Sequence, residues 1–319
     1  EQVVKAWPKA HSHLETMITQ SVALYNSHIS SAVTSVKVDS KSAFTQSELS
    51  KKIDLSEHDK IIKKSSPRVC SLVLAQGSNH SSGWKHSTVK ASKDFYLRPD
   101  EFQMSLKVSL GAEVLPKGAR CPFCDKVEID PYGDHVISCP DAGHVVHTHN
   151  SYRDLLLSWF RLAGIDAQKE IPVTLRNGTK YTGDLLLVLG IPGVTTSKVM
   201  LDVTFRSPFT KTGLKKASRW SGAAAEMGED SKNNRLMAAL KESDYAFYPI
   251  AVETLGGIGP ECAPVMNYLL TQLHYRLRKP FHEVASVFWQ SLSVLVQRMK
   301  SNRILRCLQL LHSKEKQKQ

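Results

Sequence analysis

The stretch CPFCDKVEIDPYGDHVISC, from Cys121 to Cys139, constrains this chain more than any other. It holds three of the six cysteines and a histidine, spaced Cys121-x2-Cys124-x10-His135-x3-Cys139. Two thiolates two residues apart fit a tight turn around a metal. A His and a Cys four apart share one face of a helical turn and close a tetrahedron. Zinc takes such a set of three sulfurs and one nitrogen, and with four protein ligands the ion is structural, with no position open to water. His144 and His147 are near enough in the chain to replace one ligand. The alternatives are three buried thiols with a surface histidine, or a redox-active CxxC. The pairing of CxxC with HxxxC favours zinc over the first, and the lack of a strand–helix context disfavours the second. So small a unit buries little apolar surface, and metal is expected to be its main source of order. Cys70, Cys262 and Cys307 are isolated and read as structural. This is not a disulfide framework, and it suits a reducing compartment, cytosol or nucleus.

The chain has 319 residues and a net charge of +12, from 42 Lys and Arg against 30 Asp and Glu. That balance favours a polyanionic partner, nucleic acid first and an acidic membrane surface second. No apolar run is long enough to span a bilayer, and the start carries no charged-then-apolar leader. A start at Glu1 rather than Met reads as a fragment or a processed product.

Five regions follow from composition. Residues 1–66 read as helical or partly disordered, with a helical patch in HSHLETMITQSVALYNSHISSAV and a charged, exposed KKIDLSEHDKIIKKSSPR. Residues 67–120 are a helical lead-in, in which Val69–Trp84 reads as a buried segment followed by a loop. RPDEFQMSLKVSLGAEV is expected to be a helix, with Phe102, Leu106 and Leu110 at spacings of four. Residues 121–148 are the cysteine unit. In 149–260 a helix over Tyr152–Ala163 precedes three strand candidates, EIPVTL (170–175), YTGDLLLVLG and KVMLDVTF, with Asn177-Gly178 as the hairpin turn between the first two. An Ala-rich helix and a fourth strand, YAFYPIAVETLGG, complete the order α-β-β-β-α-β. Residues 261–319 read as C-terminal helices with a basic tail, striped by Val284, Phe288, Leu292, Leu295 and Met299.

Asp184 and Asp202 each sit inside an apolar strand. An Asp at a strand end is often a turn partner, but two acids among core residues are costly to bury without a metal or a basic partner. Two carboxylates on adjacent strands can hold Mg²⁺, which takes oxygen ligands, and such an ion can activate water toward a phosphodiester. Glu170 reads equally as a further ligand or a solvated strand end, and Glu253 as structural. His149 and Asn150 could touch phosphate or cap the helix, with capping favoured for Asn150. Arg206, Lys211, Lys215, Lys216 and Arg219 follow the strand of Asp202 and suit phosphate-backbone contacts. Trp220 reads as core rather than as a base-stacking residue.

The α-β-β-β-α-β order with acids on its second and third strands resembles the PD-(D/E)xK restriction-endonuclease-like fold. The knuckle spacing, then His149-Asn150, Gly183-Asp184 and Leu201–Thr204, is similar to the endonuclease region of site-specific non-LTR retrotransposons. The likeness runs from about Leu97 to the C-terminal helices. It implies an α+β or α/β fold, a CCHC knuckle on Cys121, Cys124, His135 and Cys139, and a nuclease core in which Asp184 and Asp202 hold catalytic Mg²⁺ or Mn²⁺. Two departures stand out: Gly183 replaces the usual Pro, and Thr204 stands where the D-x-K lysine belongs. The resemblance implies a lysine moved onto the following helix, and Lys232 matches best. The implied activity is hydrolytic nicking of DNA by a retroelement-derived endonuclease, in nucleus or cytoplasm, with DNA as partner and the element's RNA as a second candidate. The alternatives are an inactive, zinc-stabilised nucleic-acid-binding scaffold and a purely structural zinc protein. A buried Arg on the aspartates in place of Lys232 would favour the scaffold.

Overall fold

The structure, a computed structural model, describes residues 46–87, 95–174, 178, 180–191, 196, 198–240 and 244–316. The patch expected to be helical before residue 45, and Asn177 of the expected turn, lie outside the described residues. The chain divides into two compact units, Glu1–Ser66 and Pro67–Gln319. In the first, helix α1 spans Gln46–Lys64, with Lys60 on Glu57 at 2.7 Å one turn apart.

The second unit is a mixed α+β structure. Its described elements are α2 (Pro67–Gln76), α3 (Pro99–Ser109), α4 (Asp134–Ser138), α5 (His144–Leu162), β1 (Asp166–Lys169), β2 (Pro172–Thr174), β3 (Lys180–Thr182), β4 (Leu185–Val188), β5 (Lys198–Arg206), α6 (Leu214–Ala217), α7 (Ala223–Leu240), β6 (Tyr245–Glu253), α8 (Ala263–Leu277) and α9 (Phe281–Lys316). The main sheet runs β1-β4-β5-β6. The first two pairings are antiparallel, and β5 pairs with β6 in parallel over nine residues. A parallel neighbour needs a crossover, and α7 supplies it.

Two strand expectations are corrected. The first strand of the sheet is Asp166–Lys169, so Glu170 follows a strand rather than opening one. The EIPVTL segment does form a strand, but β2 pairs only with β3, in a separate two-stranded ribbon. YTGDLLLVLG is not continuous either. It breaks at Gly183-Asp184 into ribbon strand β3 and sheet strand β4.

Side chains alternate across β5. Val199, Leu201 and Val203 join Leu185, Leu187, Ile250 and Val252 in the main core, under Tyr152, Leu156 and Phe160 of α5 and residues of α8 and α9. Met200 faces the other way, against Val173 of the ribbon and Leu236 and Leu240 of α7. Asp202 shares that phase and lies between ribbon and α7.

A second core holds the cysteine unit. Cys121, Ile129, Val136, Ile137 and Cys139 pack with Leu72 of α2, Met104 and Val108 of α3, and Ile304 and Cys307 of α9. The knuckle is therefore packed into an apolar core that it shares with α2, α3 and α9. Val69–Trp84 begins as a helix, α2. On α3 the four-spaced Phe102, Leu106 and Leu110 are exposed, and Glu101, Met104, Ser105 and Val108 are buried instead. Polar partners on α9 turn the helix this way. Asn302 donates to Glu101 Oε1 at 3.0 Å, and the Ser105 and Ser301 hydroxyls meet at 2.7 Å.

Helix α9 is 36 residues long, about 54 Å at 1.5 Å per residue, and crosses both cores. Lys300 on it is buried, and its amine has no hydrogen-bond partner among the described residues. Burial, then the nearby charge of Lys85, pushes its pKa from 10.5 down to about 7. The unfolded chain therefore binds a proton that the folded chain lacks between those values, so folding stability rises with pH across that window. Lys300→Met is expected to raise stability at pH 7 and to flatten the rise from pH 7 to pH 10 by an amount on the order of a few kcal/mol, read from urea unfolding at several pH values.

Candidate metal centres

The first centre joins Cys121, Cys124, His135 and Cys139, whose ligand atoms all lie within 4.8 Å of one another. Cys121 and Cys139 Sγ are 4.0 Å apart, and Cys124 Sγ is 3.5 Å from His135 Nε2. A zinc tetrahedron with the usual bond lengths has edges of about 3.7 Å between sulfurs and about 3.5 Å from sulfur to nitrogen. The set fits zinc as it stands. His144 and His147 are not in the cluster; His144 Nε2 lies 3.4 Å from Thr148 Oγ1 on its own helix.

The loop is held by charge. Asp130 accepts from the backbone N–H of Tyr132, Asp134 and His135 at 3.0, 2.9 and 2.8 Å, which sets the start of α4 and so His135. Arg68 of α2 grips Asp134 through two bonds, of 2.6 and 2.8 Å, and its guanidinium lies 3.8 Å from the centre of the Tyr132 ring. Arg303 of α9 lies 3.4 Å from the centre of the Phe123 ring and donates to the Val136 and Asp141 carbonyls at 3.3 and 2.9 Å. The thiols differ in acidity. The Lys126 amide beside Cys124 is the main cause of its fall to about 6, whereas burial pushes Cys139 up to about 11.

The second centre joins His149, Asp184 and Asp202, again within 4.8 Å of one another. Strand pairing places the acids. Leu185 faces Leu201 in the antiparallel ladder, so one step further Asp184 lies across from Asp202. Asp184 N donates to Leu201 O at 3.0 Å, and its own Oδ2 accepts from Val203 N at 2.6 Å. Gly183 makes room for the break, since a Cβ there would come within 2.5 Å of Met200 Cγ.

Lys232 Nζ lies 2.7 Å from Asp202 Oδ1. Helix α7 reaches it in register because the buried Glu253 at the end of β6 accepts from Ala224 N at 3.0 Å, pinning the first turn. One turn before Lys232, Gly228 lets the helix approach the sheet, where a Cβ would stand 3.0 Å from both Ala251 Cβ and Arg206 Cγ. The Tyr181 hydroxyl, from the ribbon, donates to Asp202 Oδ2. Burial raises the Asp202 pKa first, the hydrogen-bonded Asp184 carboxyl raises it further, and Lys232 and Tyr181 offset part of this. Asp184 ends below the usual carboxylate range: burial raises it, but His149, Asp202 and the Val203 N–H outweigh that.

Other candidates lie elsewhere. Glu170 is not in the cluster; its carboxylate pairs with Arg153 and is largely exposed. Arg206, Lys211, Lys215, Lys216 and Arg219 are all exposed, at the end of β5 and along the segment leading to α7. Arg206 donates to Ser231 Oγ at 3.0 Å. Trp220 is exposed rather than core, with Nε1 donating to Glu226 Oε2 at 3.0 Å, which corrects the expectation for it. Asn150 caps nothing at a helix start, because α5 begins at His144.

Sequence reasoning gives His149 a phosphate-contact or capping role rather than a place at this centre, and does not single out Tyr181. His149 lies three residues before Tyr152, on the same helical phase as Leu156 and Phe160, so extending that stripe backwards would have drawn it inward. Tyr181, in a short ribbon, has no such signal. Comparison with protein-family models finds no matching family, and a search of curated proteins finds no match.

The zinc set is expected to carry about one ion per chain. Elemental analysis of purified protein should find that zinc, and Cys139→Ser should lose it. Because the knuckle shares an apolar core with α2, α3 and α9, chelation should open this region while the sheet core stays folded. Hydrogen exchange would show protection lost over 121–139 and kept over β4–β6.

Proposed function

We propose that this chain is a metal-dependent DNA endonuclease with a restriction-endonuclease-like core, derived from a site-specific retroelement and acting in the nucleus or cytoplasm. One observation carries the reading: Lys232 Nζ stands 2.7 Å from Asp202, and Asp184 faces Asp202 across the ladder. Two acids and a lysine thus converge although the lysine does not follow Asp202 in D-x-K spacing. The core order α5-β1-β4-β5-α7-β6 also agrees with that fold once the ribbon is set aside as an insertion. No Arg takes the place of Lys232 among the hydrogen bonds to Asp184 and Asp202 in the described residues, which disfavours the inactive scaffold.

Asp184 and Asp202 would hold the divalent cation, Mg²⁺ or Mn²⁺. When bound, it supplies positive charge against the scissile phosphate and the attacking and leaving oxygens. The chain's own residues do the rest. The Lys232 ammonium places a second positive charge beside Asp202, where it can orient water and steady charge that develops on phosphate oxygens. Asp184 is kept ionised at neutral pH by the Val203 N–H and His149. The exposed Arg and Lys side chains beyond β5 would track the phosphate backbone, giving salt-dependent binding with little sequence information. The Cys3His unit would hold structural zinc. Being built into the second core, it braces α9 whether or not it also touches nucleic acid.

Nicking of supercoiled plasmid with Mg²⁺ or Mn²⁺ tests this. Asp202→Asn should abolish nicking, and Lys232→Ala should slow it by about 10²–10³-fold, the usual cost of losing one group that stabilises transition-state charge. Folded variants that nick as fast as wild type would overturn the reading. A second measurement concerns DNA binding alone. Replacing Lys215, Lys216 and Arg219 together by Ala should lower the slope of log K against log salt by about 2 to 3 on duplex DNA.

A further inference from the structure

His149 has a geometry that neither helix capping nor phosphate contact explains. It sits within α5, half-buried, with Nε2 3.0 Å from Asp184 Oδ2 and Nδ1 3.2 Å from Asn150 Oδ1. Both ring nitrogens thus face oxygen acceptors. A neutral imidazole donates through one nitrogen only, so the other bond takes a second proton, a turned Asn150 amide or a metal ion between Nε2 and the aspartates. Metal-ligating histidines characteristically give their second N–H to a carbonyl or carboxylate, which fixes the tautomer. Here the Asn150 side-chain oxygen can take that N–H, which frees Nε2, now the hydrogen-bond partner of Asp184, to turn its lone pair to an ion held between the two aspartates.

The distances also suit an ion. Six-coordinate divalent cations of the Mg²⁺ and Mn²⁺ size bind at about 2.1 Å, so neighbouring ligands stand about 3.0 Å apart. The Nε2 to Oδ2 separation of 3.0 Å matches that edge, and Asp202 also falls within the 4.8 Å span of the set. A nitrogen ligand changes which ion is preferred. Mg²⁺ takes oxygen ligands and gains little from imidazole, whereas divalent transition metals accept it readily.

We infer that His149 is a third protein ligand of the ion held by Asp184 and Asp202, making a His–Asp–Asp centre selective for a divalent transition metal over Mg²⁺. This rests on the reading that the two aspartates hold a divalent cation, and adds the ligand and the metal class. Asn150 is then a positioning residue that acts through His149.

The test uses the zinc-loaded full chain with Mn²⁺ as probe, read by pulsed EPR and by calorimetric titration with Mn²⁺ and Mg²⁺. The expected result is one strongly coupled ¹⁴N on bound Mn²⁺, lost in His149→Ala. Mn²⁺ affinity should fall by about 10–100-fold in that variant, with Mg²⁺ affinity changing much less. Asn150→Leu should keep the nitrogen coupling but weaken Mn²⁺ binding. His149→Gln, with its fold checked by circular dichroism, guards against a packing defect. If Mn²⁺ binds, depends on Asp202, and shows no nitrogen coupling, the inference is overturned while the two-carboxylate reading stands. If Mn²⁺ binding ignores Asp202→Asn, both fall.

Discussion

A buried carboxylate on the central strand sets the terms for the rest of the core. Asp202 lies on β5, an inner strand paired on both sides, and is only 5 % exposed. A second carboxylate, Asp184, faces it across the ladder. Neither burial nor a like charge favours ionisation, and together they would make the pair costly if it stood alone. The surrounding elements each bring a compensating group: the Lys232 ammonium from α7, the Tyr181 hydroxyl from the ribbon, the Val203 N–H from β5 itself and the His149 ring from α5. Four separate elements thus converge on two side chains.

That convergence depends on where α7 sits along the sheet. A slip of one residue turns a helical side chain by about 100° and would carry Lys232 away from Asp202. Glu253 prevents the slip by holding the first turn through Ala224 N, and its own carboxyl is pushed up by burial and steadied by the Ala224 and Ala225 amides and by Ser78. Gly228 then lets the helix lie close enough for a lysine to reach. An acid that reads as structural from sequence is therefore the one that registers the lysine.

The zinc-type knuckle and the sheet are linked by a single long helix. The first half of α9 contributes Val284, Phe288, Leu292 and Val296 to the main core, and the second half contributes Ile304 and Cys307 to the core around the cysteines. Arg303 and Arg68 add cations on two sides of the knuckle. A metal there adds to packing that already exists.

The sequence by itself determined the Cys3His spacing, the acid within the apolar strand β5 and the segments of helix and strand character, because these are local patterns of ligand spacing, alternation and turn residues; it did not determine that Asp184 falls in a break between β3 and β4 or that the sheet starts at Asp166–Lys169. Periodicity failed where one face of an element carries little apolar surface. In β1 only Ala167 is buried, so the edge strand has no alternation to read, while the more regular EIPVTL pattern forms a ribbon off the sheet. On α3, the apolar stripe lost to a polar face that pairs with α9 through Glu101 and Ser105. Lys232 was legible only through a family resemblance, since thirty residues separate it from Asp202 and no spacing rule joins them. Its arrival, with those of His149 and Tyr181, was decided by tertiary structure. Which side chains meet a buried charge depends on helix register and strand pairing across the whole domain, and neither is a local property of the chain.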